Sequence, residues 1–240
     1  MTKFNYLLAA GFLVVAASAQ AGRPIMEETK CPVGGEKFTV TQTASCSTFG
    51  GSQDFLLKPQ TSCDFVTKLA QCPMNKLPLY KEFSDEEIRK LKGFVKTDAY
   101  KSLKERSRYW IAHETEKFLQ GGGDAKGLGF SMLFGGLQFD RANTLSDPEY
   151  LKAVQVAGDS ELAEHSDKNT PYIQLVMSYL DYFQGSFVSA AQRLVAVGKD
   201  ETVKENKLVA AYIVRLGDCI ESSDSKKCVS TDQVVPRKSL

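Results

Sequence analysis

Cys31-Pro32-Val33-Gly34-Gly35 and Cys72-Pro73-Met74-Asn75 decide how this chain reads. Each opens as a Cys-Pro-x-Cys metal knuckle opens, then carries Gly34 or Asn75 where the second thiol belongs. A glycine offers no ligand atom and an asparagine amide is a poor substitute for thiolate. Cys46 and Cys63 lie between the two turns, so one short segment holds four thiols, a number that can pair. In an oxidising compartment that pattern favours disulfides over metal; four thiolates converging on one ion are the alternative.

The N-terminus supplies that compartment. Met1-Thr2-Lys3 forms a small positive region and Leu7 to Ala17 an apolar run. As a helix this run is too short for a hydrocarbon core of roughly 30 Å. Ala17-Ser18-Ala19 and Ala19-Gln20-Ala21 both suit signal peptidase, so residues 1–21 read as a cleavable signal peptide, with cleavage after Ala21 or after Ala19. Periplasmic or secreted localisation follows, and no later stretch is apolar for long enough to predict membrane insertion. The chain carries 30 basic and 29 acidic residues; losing residues 1–21 removes one lysine and no acid. Such neutrality lacks the basic footprint that phosphate backbones or anionic membranes require, which speaks against a nucleic-acid partner.

Composition divides the remainder. Residues 22–83 are rich in Thr, Ser, Gly and Pro, with β-prone runs at Lys37–Thr43 and Asp64–Leu69 around a turn-like Ser47–Ser52. They predict a β-hairpin that would be marginally stable without cross-links. Helices are expected over 84–220. Ser84 with Glu87 forms a capping box, flanked by Phe83 and Ile88 as a hydrophobic staple. Thr97-Asp98 caps the next helix, which carries Tyr100, Leu103, Trp110, Ile111 and Phe118 to a stop at Gly121-Gly122-Gly123. The apolar stretch Gly127–Gly136 reads as a loop leading into a short buried helix. Ser146-Asp147-Pro148 and Asn169-Thr170-Pro171 open two more, with breaks near Gly185 and Gly198. Residues 221–240 form a polar tail, to which Cys219 and Cys228 predict a local clasp.

Two resemblances complete this picture. Tyr179, Leu180, Tyr182-Phe183, Gly185-Ser186-Phe187, Ala190, Leu194 and Val197 resemble one tetratricopeptide repeat, with Ala190 small enough for close helix approach. Cys31 to Phe38 is similar to the Cys-Pro-Val-Cys-Gly-x-x-Phe start of bacterial domain-of-unknown-function family 2225, and Cys72 to Ile88 resembles its second knuckle and following helix. That likeness implies a degenerate zinc ribbon ahead of tetratricopeptide-like antiparallel helices, an α+β class that is mainly α. It also implies that the surviving thiols Cys31 and Cys72 face each other across the vacated site. They would then pair, leaving Cys46 with Cys63 in a nested bridge. Four cysteines allow three connectivities, and the lost knuckles are what select this one. The family brings no established reaction.

No catalytic signature accompanies this architecture. His113-Glu114-Thr115-Glu116-Lys117 has lysine where the zincin His-Glu-x-x-His needs its second imidazole, so a solvated helix face is expected. His165 falls at an expected helix end, where a cation suits the dipole. Gly121 to Gly129 lacks the Gly-Lys-Ser/Thr of a phosphate loop. Asp85-Glu86-Glu87 lacks the alternation of a calcium loop and suits a helix N-terminus. The reading is therefore a protein-binding or assembly module of the cell envelope, with no cofactor or bound metal and another envelope protein or peptide as partner. The aromatics Tyr172, Tyr179, Tyr182 and Phe183 are the expected contact surface. The alternatives are a redox- or metal-handling protein using the ribbon cysteines and a hydrolase using His113 or His165.

Overall fold

The computed structural model describes residues 23–47, 53–62, 69–123, 126–164, 170–203 and 205–234. The expected signal peptide and His165 lie outside them. The chain runs from an antiparallel β-hairpin, β1 (Arg23–Lys30) and β2 (Lys37–Ser45), into a mainly helical body. The helices are α1 (Asp85–Phe94), α2 (Asp98–Leu103), α3 (Arg108–Leu119), α4 (Phe130–Phe139), α5 (Arg141–Thr144), α6 (Pro148–Glu164), α7 (Thr170–Phe183), α8 (Phe187–Gly198) and α9 (Lys207–Glu221).

β2 forms where the alternation of Lys37 to Thr43 places it, but its partner is β1 and not the run at 64–69. Of that run, 64–68 lie outside the described residues and Leu69 is in no strand. The reason is local. The turn Cys31–Glu36 follows Lys30 directly, and Lys30 pairs with Lys37 across it, so the ladder closes at once.

Capping determines the helix starts. Ser84 Oγ accepts from Glu87 N while Glu87 Oε2 accepts from Ser84 N at 2.8 Å, closing the expected box. The single helix expected from Thr97 to Gly121 is two, because Ser107 caps a new start: its Oγ accepts from Tyr109 N and donates to Asp140 Oδ2 at 2.7 Å. Asp147 Oδ1 accepts from Glu149 N and Tyr150 N at the head of α6. α7 and α8 form a close hairpin in which Ser178 Oγ donates to the Ala190 carbonyl at 2.7 Å.

The main core joins α3, α4, α6, α7, α8 and α9, and takes in Phe55 and Leu56 from the segment otherwise read as ribbon. Phe55 stacks on Tyr179 at 5.1 Å and stands edge-on to Tyr212 at 5.4 Å. Asp54 fixes that loop by accepting from Leu56 N and Lys58 N and by pairing with Arg141 at 2.9 Å. A part-buried ion pair, Asp181 with Arg193 at 2.9 Å, ties α7 to α8, and Arg193 reaches on to Asp159 of α6.

The polar tail is clasped as expected. Cys219 and Cys228 form a disulfide with Cα atoms 6.0 Å apart. Tyr182 Oη donates to the Asp224 carbonyl at 2.6 Å, and Cys228 N donates back to Tyr182 Oη. Val234 is buried against the main core. Among the described residues no helix is long and apolar enough to cross a membrane.

Candidate functional site

The two knuckles fold alike despite their different sequences. Cys31 N donates to the Glu36 carbonyl and Gly35 N to the Cys31 carbonyl; Cys72 N donates to the Leu77 carbonyl and Lys76 N to the Cys72 carbonyl. The fifth residue of each turn has positive φ, +80° at Gly35 and +65° at Lys76, a region that glycine enters without strain and lysine does not. Cys31 and Cys72 are joined by a disulfide, with Cα atoms 5.5 Å apart, and both are buried in a small cluster with Leu77 and Leu91. Cys46 is also disulfide-bonded. The expected Cys46–Cys63 pairing falls on Cys63, outside the described residues.

The vacated knuckle positions are in use. Asn75 Nδ2 donates toward Cys31 Sγ at 3.5 Å, and Asn75 Oδ1 accepts from Leu77 N. Gly34 N donates toward Cys31 Sγ at 3.4 Å. The missing side chain of Gly34 leaves the space in which the Glu36 carboxylate sits: any Cβ there would collide with Glu36 Oε2. Both Glu36 oxygens are shielded from solvent without a hydrogen-bond partner. They lie beside the bridge, such that one ligand atom from each of Cys31, Glu36 and Cys72 falls within 4.8 Å of the others. Sequence reasoning passed over Glu36, although it is the one acid within the first turn.

A second feature lies in the helical body. An open groove of about 1050 Å³ runs between α3 and α6. Its floor is apolar, from Trp110, Leu128 and Phe130 to Ala153, Val156 and Ala157; Val156 is 63 % exposed there. Its rim is charged and largely self-paired: Arg106 with Asp147 and Glu149, Lys117 with Glu114 at 3.2 Å, Lys126 with Glu164 at 3.1 Å, with Lys152 and Glu161 completing it. Arg106 also lies over the Trp110 ring, 4.3 Å from its centre. Past Phe130 and Glu161 the groove meets a smaller hollow of about 330 Å³ lined by Leu57, Phe134, Tyr172, Ile173 and Val176.

His113 borders this groove as a buried, structural histidine, contrary to the solvated face expected of it. Its Nδ1 accepts from Leu128 N at 3.1 Å, and the ring stacks on Trp110. Burial lowers its pKa; Glu114 opposes this and Lys117 adds to it. Gly127 admits the ring, since a Cβ there would stand 2.5 Å from His113 Cε1. Among the described residues no carboxylate hydrogen-bonds the imidazole, and Glu114 is engaged by Lys117. The ribbon is latched to the far end of α3, where Glu116 accepts from Tyr80 Oη at 2.9 Å and pairs with Lys81 at 2.8 Å. Burial, and then the bond to Glu116, raises the Tyr80 pKa.

The expected contact aromatics divide. Tyr179 and Tyr182 are fully buried, a correction to their reading as surface: Phe55 and the tail consume the apparent surplus. Tyr172 and Phe183 are half-buried, and Tyr172 lines the smaller hollow. The sequence reading singled out no groove on α6, where Tyr150, Leu151 and Val154 are buried, Ala153 and Ala157 are partly buried against the core, and Val156 is exposed. Compared with known proteins, the chain matches no family pattern, no curated protein and no solved structure.

Proposed function

We propose that this chain is an exported binding module of the cell envelope which holds a peptide segment of a partner protein in the groove along α6. The observation that carries the reading is the groove itself: a long apolar floor between α3 and α6, with rim charges that mostly neutralise one another. Affinity in such a place comes from the floor, where covering a valine is worth about 1.5–3 kcal/mol. Selectivity falls to Lys152 and Glu161. Tyr172 extends the contact beyond Phe130. The disulfides suit an oxidising compartment, which agrees with the signal sequence.

The matched hydrogen bonding of the two knuckles supports descent of the ribbon from a zinc ribbon of the kind in family 2225, and the α7–α8 hairpin is the unit on which the tetratricopeptide-like reading rests. Trp110, the one tryptophan in the chain, sits in the groove and reports on it. Panning a random peptide library on the oxidised mature chain is expected to yield binders that change Trp110 emission on titration. Binders that leave that emission unaltered, or enrichment equal to that on a Val156→Asp chain, would place the interaction elsewhere.

A further inference from the structure

We propose that the Cys31–Cys72 bridge is the closed form of a divalent zinc site whose third protein ligand is Glu36. Two sulfurs, held together here by their own bond, and a carboxylate lie within 4.8 Å of one another on two hydrogen-bonded turns, and reduction would make all three groups of the kinds zinc takes. The carboxylate oxygens are shielded and unpartnered, a state that costs free energy unless a cation or donor answers it. Among the described residues none does so. The ligand set is distinct from four thiolates, because Gly34 has given its space to Glu36.

A dithiol attacks the bridge, the Cys31–Cys72 bond breaks, and the dithiol leaves as its own disulfide, having given each sulfur a hydrogen and two electrons in all. An open hollow lined by Lys30, Lys92, Pro32 and the glycines borders Cys31, and its two lysines favour approach of a thiolate. Zinc then displaces the two thiol protons. In a tetrahedral site with Zn–S bonds of about 2.3 Å the sulfurs would stand about 3.8 Å apart. Water takes the fourth position. Asn75 Nδ2 and Gly34 N, already directed at Cys31 Sγ, would stabilise its thiolate.

The test is zinc titration of the full mature chain, oxidised and phosphine-reduced, against a chromophoric chelator. One tightly held zinc is expected in the reduced chain and none in the oxidised chain. Glu36→Gln should weaken binding by about tenfold or more, whereas Cys219→Ser with Cys228→Ser should leave it unchanged. Cobalt(II) in the reduced wild-type chain provides a reading independent of any variant: charge-transfer intensity of two thiolates is expected. Four-thiolate intensity, no zinc after reduction, zinc in the oxidised chain, or unaltered affinity in Glu36→Gln would each overturn the proposal.

Discussion

Truncating Phe55 should separate a ribbon that merely lies on the helices from one that is built into them. Its ring is fully buried, nearly parallel to Tyr179 at 5.1 Å and edge-on to Tyr212 at 5.4 Å. Removing a buried phenylalanine costs about 3–5 kcal/mol in lost transfer energy and residual cavity. The two aromatic contacts place this site toward the upper half, so Phe55→Ala is expected to cost about 4 kcal/mol. That is a large share of a typical total of about 5–15 kcal/mol. With a urea slope near 2 kcal/mol per molar, the unfolding midpoint should fall by about 2 M. Phe55→Leu should cost roughly 1.5 kcal/mol, since most of the volume stays. The assay is urea unfolding followed by Trp110 fluorescence and by far-ultraviolet dichroism, which should coincide. A loss in Phe55→Ala below about 1.5 kcal/mol would refute the reasoning, because the loop would then contribute little to the core.

Other consequences are as direct. Replacing Cys219 and Cys228 by serine opens a bridge of sequence separation 9 and should lower stability by about 3 kcal/mol in the chain-entropy model, read from denaturant midpoints with and without reductant. His113 makes the fold acid-sensitive: its folded pKa is depressed, so the unfolded chain takes up the proton first. Stability should be level above pH of about 6.5, fall as pH drops below it, and flatten once pH passes the folded value, with a slope no steeper than about 1.4 kcal/mol per unit. His113→Gln should remove that component of the pH profile. N-terminal sequencing of the exported pool should find Gly22, or Gln20 if the first site is cut; an intact Met1 there would contradict the signal reading.

The sequence was legible wherever a local rule decided the outcome. Ser84 with Glu87, Asp147 ahead of Pro148, and Gly185 between α7 and α8 each act within a few residues, and the helices begin or end beside them. Cys31 with Cys72 could be paired because the knuckles imply their own geometry. β1 was missed because Arg23–Lys30 is polar and mostly exposed, so no alternation marks it; the turn that pairs it with β2 depends on Gly35. Phe55 and Leu56 were missed because their anchors, Arg141, Tyr179 and Tyr212, are remote in sequence. Surface and core aromatics could not be told apart along α7, whose inward face receives Phe55 and the tail as well as its neighbouring helices. The α6 groove is likewise tertiary, since its floor combines α3, α6 and the loop at Leu128.

The most direct test of the binding proposal compares two exposed valines, Val156 in the groove and Val195 on α8, at 63 % and 55 % exposure. Aspartate at either position spares the core, so both variants should fold. Affinity for a groove-selected peptide, measured by calorimetry, is expected to fall at least tenfold in Val156→Asp, the equivalent of about 1.4 kcal/mol, and to stay within twofold in Val195→Asp. Unchanged affinity in Val156→Asp, or a larger loss in Val195→Asp, would move the partner surface away from α6 and contradict the assignment.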